Sequence, residues 1–414
     1  MDTPRLEFAG SQRVSCTRCG RCCRHWHVEL LPSEVRALRA LDWGEGPSPI
    51  SGDPVLEMGG RPFLRHRSNG DCVFLDQDGS ACLLHTRFGV LAKPVGCRLY
   101  PLQVAPTFEG CVSVSARMDC PAVQSNVGLP LHNTAGEVRQ LVRILSPDRW
   151  LDADDCGKVC EESIRKLVSF LRSEIVARAD LPPRVRCTAL VLAAERLEHL
   201  TAPFLNDMPV LEQVLPSFIG RVLDRVQRNE ERGIGVFWRV AFRLWLSCFL
   251  RRDEELIGAG GLARLRRFAA VAAFATGHGR LSGLGAEHPD VRQAAVGLFA
   301  GGWMEVPDAW DCYRRWIDAR LETFQFMGSA LQGRDFFTGL RALGQTGALV
   351  LVTARFHAAG RGDTTIEAED VQYAVGAIDH GFGRSALLGR PLVRYLERSF
   401  DFVLCLRLAA GLGW

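Results

Sequence analysis

The run Cys16-x2-Cys19-x2-Cys22-Cys23 is where residue type and spacing prescribe chemistry most directly. Two residues between cysteines let a tight turn aim both sulfurs at one centre, and Gly20 supplies the positive φ that such a turn favours. Three cysteines at successive two-residue spacings can each cap a different iron of a cubane, as in the bacterial ferredoxin run, whose remaining cysteine lies elsewhere. No fourth cysteine follows here at x3-Cys-Pro, so a fourth ligand has to come from Cys72, Cys82, Cys97 or Cys120. Adjacent residues of extended backbone point opposite ways, so Cys22 and Cys23 are expected to face different sites, or only one of them binds. With Cys111 set aside, eight cysteines suffice for one cluster plus one zinc, two clusters, or one cluster with spare thiols. Zinc alone is the main rival, since a four-cysteine zinc site needs the same thiolates in tetrahedral array. Soft thiolates select zinc, copper(I) or iron–sulfur clusters over magnesium or calcium. A motif this dense argues against a mere set of reduced, buried thiols.

The chain of 414 residues has 15 cysteines, and nine of them precede residue 121. In a reducing compartment such a concentration reads as metal ligation before it reads as disulfides. The net charge of +3 lacks the strongly basic field of a dedicated nucleic-acid binder. Lys93, Lys158 and Lys166 are the only lysines, and this arginine bias is read as codon usage of a GC-rich genome. The first 15 residues are polar, unlike a secretory signal. Residues 236–250 are interrupted by Arg239 and Arg243, and residues 349–356 are too few to span a bilayer. The expectation is a cytoplasmic protein with neither membrane nor nucleic acid as partner.

Around the cysteines the text is loop-rich, punctuated by Gly44-Glu45-Gly46-Pro47, Gly59-Gly60 and Asp78-Gly79. Cys72-Val73-Phe74-Leu75 and Val112-Ser113-Val114 have strand-like length, and residues 31–41 make one helix with Pro32 at its start. After about residue 135 the pattern becomes helical. Val210, Leu211, Val214, Leu215, Phe218, Ile219, Val222, Leu223 and Val226 recur at steps of three and four, so residues 207–227 form a helix that Pro216 should kink or split. Ile164, Leu167, Val168, Leu171 and Ile175 make a similar stripe. Further helices are expected at 236–250, 262–275, 310–327, 336–356 and 369–380, the last behind a capping box at Thr364 and Glu367. The fold class is therefore a small cysteine-rich α+β metal-binding domain, residues 1–130, followed by a mainly α-helical domain, residues 131–414.

The cysteine motifs continue as Asp71-Cys72-Val73-Phe74-Leu75, Ala81-Cys82-Leu83-Leu84-His85, Lys93-Pro94-Val95-Gly96-Cys97-Arg98-Leu99-Tyr100-Pro101 and Asp119-Cys120-Pro121. In order and gaps, residues 16–121 resemble the YkgJ-like family of zinc- or iron-chelating cysteine-cluster proteins. They look most like its flagellin lysine-N-methylase branch, through Cys-Val-Phe-Leu, Cys-x-x-His, Cys-Arg-x-Tyr-Pro and a late strand running into Cys-Pro. The resemblance implies an iron–sulfur cluster, 4Fe-4S by the cubane spacing, or zinc. It also implies S-adenosyl-L-methionine as methyl donor and lysines of flagellin or a similar protein as substrate. One departure is that those enzymes space their first cysteines more widely. The helical half has no matching motif, which leaves open a non-enzymatic interaction module built on the metal, or a redox protein.

Other residues have two readings each. His25, His27, His66 and His85 suit metal, though His85 fits hydrogen bonding behind the ligands better than ligation. Arg98 can offset thiolate charge or form a plain ion pair. Tyr100, beside Cys97, is a candidate proton acceptor for lysine methylation, against the alternative that it packs under the cluster. The glycines of residues 257–261 and Gly277-x-Gly279 follow helical text and read as helix ends rather than a cofactor loop. Cys156 and Cys160 read as ordinary thiols, and Trp238, Trp245, Trp310 and Trp316 as core.

Overall fold

Alternating small and β-branched residues make Cys111–Ala116 the central strand of a three-stranded sheet. Arg5–Phe8 pairs with it in parallel and Leu102–Pro106 antiparallel. The strand is buried along its whole length. Its serines are therefore satisfied internally: Ser115 donates to Gln325 Oε1 at 2.6 Å, and Gln325 Nε2 donates to the Ser113 carbonyl at 3.3 Å. The computed structural model describes residues 4–24, 26–43, 50, 52–145, 150–228, 234–256, 260–293, 304–305 and 307–409. His25, residues 44–47 and residues 257–259 lie outside the described residues.

The helical half is organised on Phe336–Arg361, a helix apolar on nearly every side and buried accordingly. Asp335 caps its start by accepting from the amides of Phe337 and Thr338, and Gly362, at φ 79°, ends it. It packs against Pro183–Glu198 and Ala368–Gly381. The first crossing is close because of Gly347, where a Cβ would stand 2.4 Å from Cys187 Sγ. Pro183–Glu198 has no amphipathic stripe to announce it, because it too is buried nearly all round.

Most expected helices form: Pro32–Arg39, Met208–Gln227, Val236–Leu250, Gly261–Ala275, Asp311–Glu322 and Ala368–Gly381. Pro216 does not split Met208–Gln227, which runs as one helix capped by Asp207. The capping box of Ala368–Gly381 uses Glu367 and Asp370, not Thr364 and Glu367, because Thr365–Ile366 is taken up in a short strand beside Met304–Glu305. Cys72-Val73-Phe74-Leu75 is a turn between two isolated bridges, His66 to Cys72 and Leu75 to Cys82, rather than a strand.

Two hydrophobic cores result. The small one gathers Val28, Leu30, Leu38, Val55, Leu64, Val73, Phe74 and Leu84. The large one joins the sheet residues Val112, Val114, Ala116, Met118 and Val123 to the helices, so it runs across residue 130. Among the described residues no helix is long and apolar enough to cross a membrane.

Candidate metal centre

The first cysteines are placed by a turn. Gly20, at φ 68°, opens a single helical turn over Arg21–Cys23, and a Cβ at Gly20 would stand 2.3 Å from the Gly79 carbonyl. That approach lays the turn against the loop before Cys82. Arg24 fastens it, donating to the carbonyls of Cys19 at 3.1 Å and Gly79 at 3.4 Å and pairing with Asp71 at 3.3 Å. The Cys72 amide donates to the Cys23 carbonyl at 2.7 Å. Cys82 and Cys120 precede the short helices Leu83–Phe88 and Pro121–Ser125, and Cys97 lies within Val95–Leu99. Glu34 holds that last helix by accepting from the Val95 amide at 2.6 Å.

These elements surround two adjoining cavities. The larger, of about 430 Å³, is lined by Cys16, Cys19, Cys22, Cys23, Cys82, Cys97 and Cys120. The smaller, of about 30 Å³, is lined by Cys22, Cys23, Cys72, Cys82 and Cys97. All eight candidate cysteines thus border one or both, and Cys111 borders neither. The thiols surround these spaces without converging: among the described residues no three Cys, His, Asp or Glu side chains already form a metal-holding group. Cys22 and Cys23 do not face apart. Their backbone is a helical turn, so the alternation of extended chain does not operate, and their sulfurs stand 3.9 Å apart.

The thiols are electrostatically unequal. Hydrogen bonding between Cys22 and Cys23 pulls the first below the ordinary thiol range and pushes the second above it, and Lys93 adds to the lowering. Burial raises Cys72 to about 12 and also raises Cys97 and Cys120. A buried thiolate needs a cation beside it. Lys93, which borders both cavities, is the charged neighbour that spacing alone did not flag.

Of the neighbouring residues, His85 is exposed at the edge of the larger cavity, while His66 borders the smaller one and stacks on His27 at 4.7 Å. Arg98 lies 3.8 Å from Glu137. Cys156 is buried in the large core and Cys160 is an exposed helix cap. Trp245, Trp310 and Trp316 are core, with Trp238 packed against it.

Tyr100 packs against Trp26 at 5.1 Å, with the Arg117 guanidinium 5.2 Å from its ring centre. Burial pushes its hydroxyl well above the ordinary range. Tyr100 and Cys22 also border a third space, a cleft of about 470 Å³ whose other wall carries His288, His357, Tyr373 and His380 from the helical half. Sequence reasoning missed this cleft, because its residues are scattered over most of the chain and share no spacing.

Residues 15–121 match the CxxCxxCC family model, described as a "putative zinc- or iron-chelating domain". The helical remainder lies outside that match. No curated protein and no solved structure matches the chain.

Proposed function

We propose that the cysteine segment binds metal and that its larger cavity holds an iron–sulfur cluster. The observation that carries this is the gathering of seven cysteines around one space of about 430 Å³. A single ion needs only its own coordination sphere, so a space of this size suits a polynuclear centre. Cys16, Cys19 and Cys22 would cap three irons and Cys120 the fourth, since Cys72 does not border that cavity and Cys82 and Cys97 also border the smaller one. The smaller cavity, with Cys23, Cys72, Cys82 and Cys97 on its wall, has room for one ion and suits zinc. Of the groupings open to eight cysteines, one cluster plus one zinc therefore fits best. The test is elemental analysis and absorption of anaerobically purified protein. Iron with acid-labile sulfide and a band near roughly 400 nm is expected. A colourless protein with zinc alone removes the cluster.

A second reading is the activity that the resemblance implies, methylation of lysines on flagellin or another protein by S-adenosyl-L-methionine. It is supported by the cleft beside Cys22, which is roomy enough for a substrate and lined with proton-handling side chains. Tyr100 is a poor proton acceptor in this reading, because a tyrosine hydroxyl is already protonated at neutral pH and burial moves it further from ionising. Packing beside the metal suits it better. Calorimetry with S-adenosyl-L-methionine on metal-loaded protein decides. Without binding at sub-millimolar donor, the metal site is left as the anchor of an interaction module or a redox centre.

A further inference from the structure

Helix Gly261–Ala275 carries apolar side chains on two sides, and the core uses only one of them. Val271 and Phe274 are buried, the Phe274 ring 5.8 Å from that of Phe356. Leu262, Leu265 and Phe268 lie on the other side and stay 61, 63 and 69% exposed. Single exposed apolar residues are ordinary, but three at steps of three along one helix make a stripe. At roughly 100° per residue, these three and the exposed Ala269 and Ala272 occupy about a third of the helix circumference.

The charges are arranged around that stripe. Arg264 falls beyond one of its borders and Arg266 beyond the other, and both are exposed. Among the described residues neither guanidinium has an acidic partner. The third arginine of the helix, Arg267, turns inward to Glu255 and the Leu284 carbonyl. The helix contains no Asp or Glu, and neither does Val236–Leu250, which packs beside it. Asp253 and Glu255, between the two helices, are taken by Arg251 and Arg267.

This charge pattern selects the occupant. A second copy of the chain laid face to face would set arginine against arginine, with no acid on either helix to meet them. Nucleic acid would meet the arginines but leave the stripe in water. An anionic lipid surface satisfies both, acyl chains taking the stripe and headgroups the flanking guanidiniums. We propose that Gly261–Ala275 docks the protein onto anionic bilayers. The helix lies in the plane of the interface, with Leu262, Leu265 and Phe268 inserted and Arg264 and Arg266 on headgroup phosphates. A helix in this position needs no membrane-spanning segment, so the lack of one does not bear on it. The inference is independent of which metal the cysteines hold and of the methyl-transfer reading.

The full-length protein, as purified, is sedimented at low salt with vesicles of phosphatidylcholine containing about one third phosphatidylglycerol, and with vesicles of phosphatidylcholine alone. It should pellet with the first and stay in solution with the second, and about 0.5 M salt should release most of it. Arg264→Gln and Arg266→Gln should each weaken binding roughly fivefold. Leu265→Glu combined with Phe268→Glu should abolish binding while metal content and thermal unfolding stay unchanged, because both side chains are exposed. Failure to pellet with the anionic vesicles, or binding that survives the double substitution, overturns the proposal. So does a dimer, seen by light scattering and abolished by the same double substitution, which would assign the stripe to a second copy.

Discussion

Cysteines of one chemical type divide into two populations by what surrounds them. Cys16, Cys19 and Cys22 border the larger cavity, whereas Cys187, Cys312 and Cys405 are embedded in the helical core. Replacing Cys16, Cys19 or Cys22 by Ser should abolish iron binding, read as metal per chain. Cys156, Cys187, Cys248, Cys312 and Cys405 should each tolerate Ser with metal content unchanged, at a stability cost of about 1–2 kcal/mol where the thiol is buried. Metal loss from any of these five would put the site boundary in the wrong place. A second contrast concerns His288. Burial, with Arg252 nearby, lowers its pKa from 6.5 to about 4. The folded state thus prefers the neutral ring, and the unfolded chain binds the extra proton between those values. Stability from this residue is complete above pH 6.5 and is lost as pH falls toward 4, on the order of 3 kcal/mol in all. Urea titrations at pH 7.5 and pH 5 should show the fall, and His288→Gln should flatten it. An unchanged slope in the variant would assign the acid sensitivity elsewhere.

The elements that hold the cysteines are not equally secure. Six of the eight, all but Cys16 and Cys120, lie between residues 19 and 97, in and around the small core of Val28, Phe74 and Leu84. Cys120 is held from the opposite side. Asp379 accepts from the Met118 amide at 2.7 Å and from Trp316 at 2.8 Å, and Gln124 donates to the Gln372 carbonyl at 2.9 Å. A metal joining Cys120 to the earlier cysteines would therefore clamp the small core onto the helical half. Chelation or oxidative loss should raise amide exchange over residues 19–97 while residues 102–123 keep their protection, since their strands are bonded to one another in a sheet buried against the helices and the Met118 amide is held by Asp379. Equal exchange across both stretches would show that the small core stands without metal. This division was only half legible in the sequence. Which cysteines border the cavities was plain, because cysteine spacing is local and chemically narrow. The anchoring was not, because Asp379, Gln325 and Gln124 act on partners more than 200 residues away and read individually as ordinary polar helix residues. Pro183–Glu198 escaped for a related reason: burial on nearly every side erases the periodicity that marks a half-exposed helix.

At the scale of the whole molecule, composition and packing divide the chain at different places. The text changes from loop-rich to helical near residue 130, but the large core does not end there. Val112, Val114, Ala116, Met118 and Val123 are buried together with the helices that follow. Each of the valines and the methionine contributes about 1.5–3 kcal/mol by leaving water, so as a group they rival the entire stability of an ordinary domain. The polar seam is equally shared. Gln325 satisfies the serines of the central strand, and Arg315 donates to the Gln124 carbonyl at 2.6 Å. Cutting at residue 130 would expose the sheet's apolar side and orphan these partners together. Residues 1–130 produced alone should therefore be insoluble or lack a cooperative melting transition, even when iron and sulfide or zinc are supplied. Residues 131–414 should fare little better, and co-expression of the two pieces should restore a soluble complex. A fragment 1–130 that binds metal and melts cooperatively would make the cysteine segment an autonomous domain. The cleft beside Cys22 would then be an interface between two independent units rather than a space built by one core.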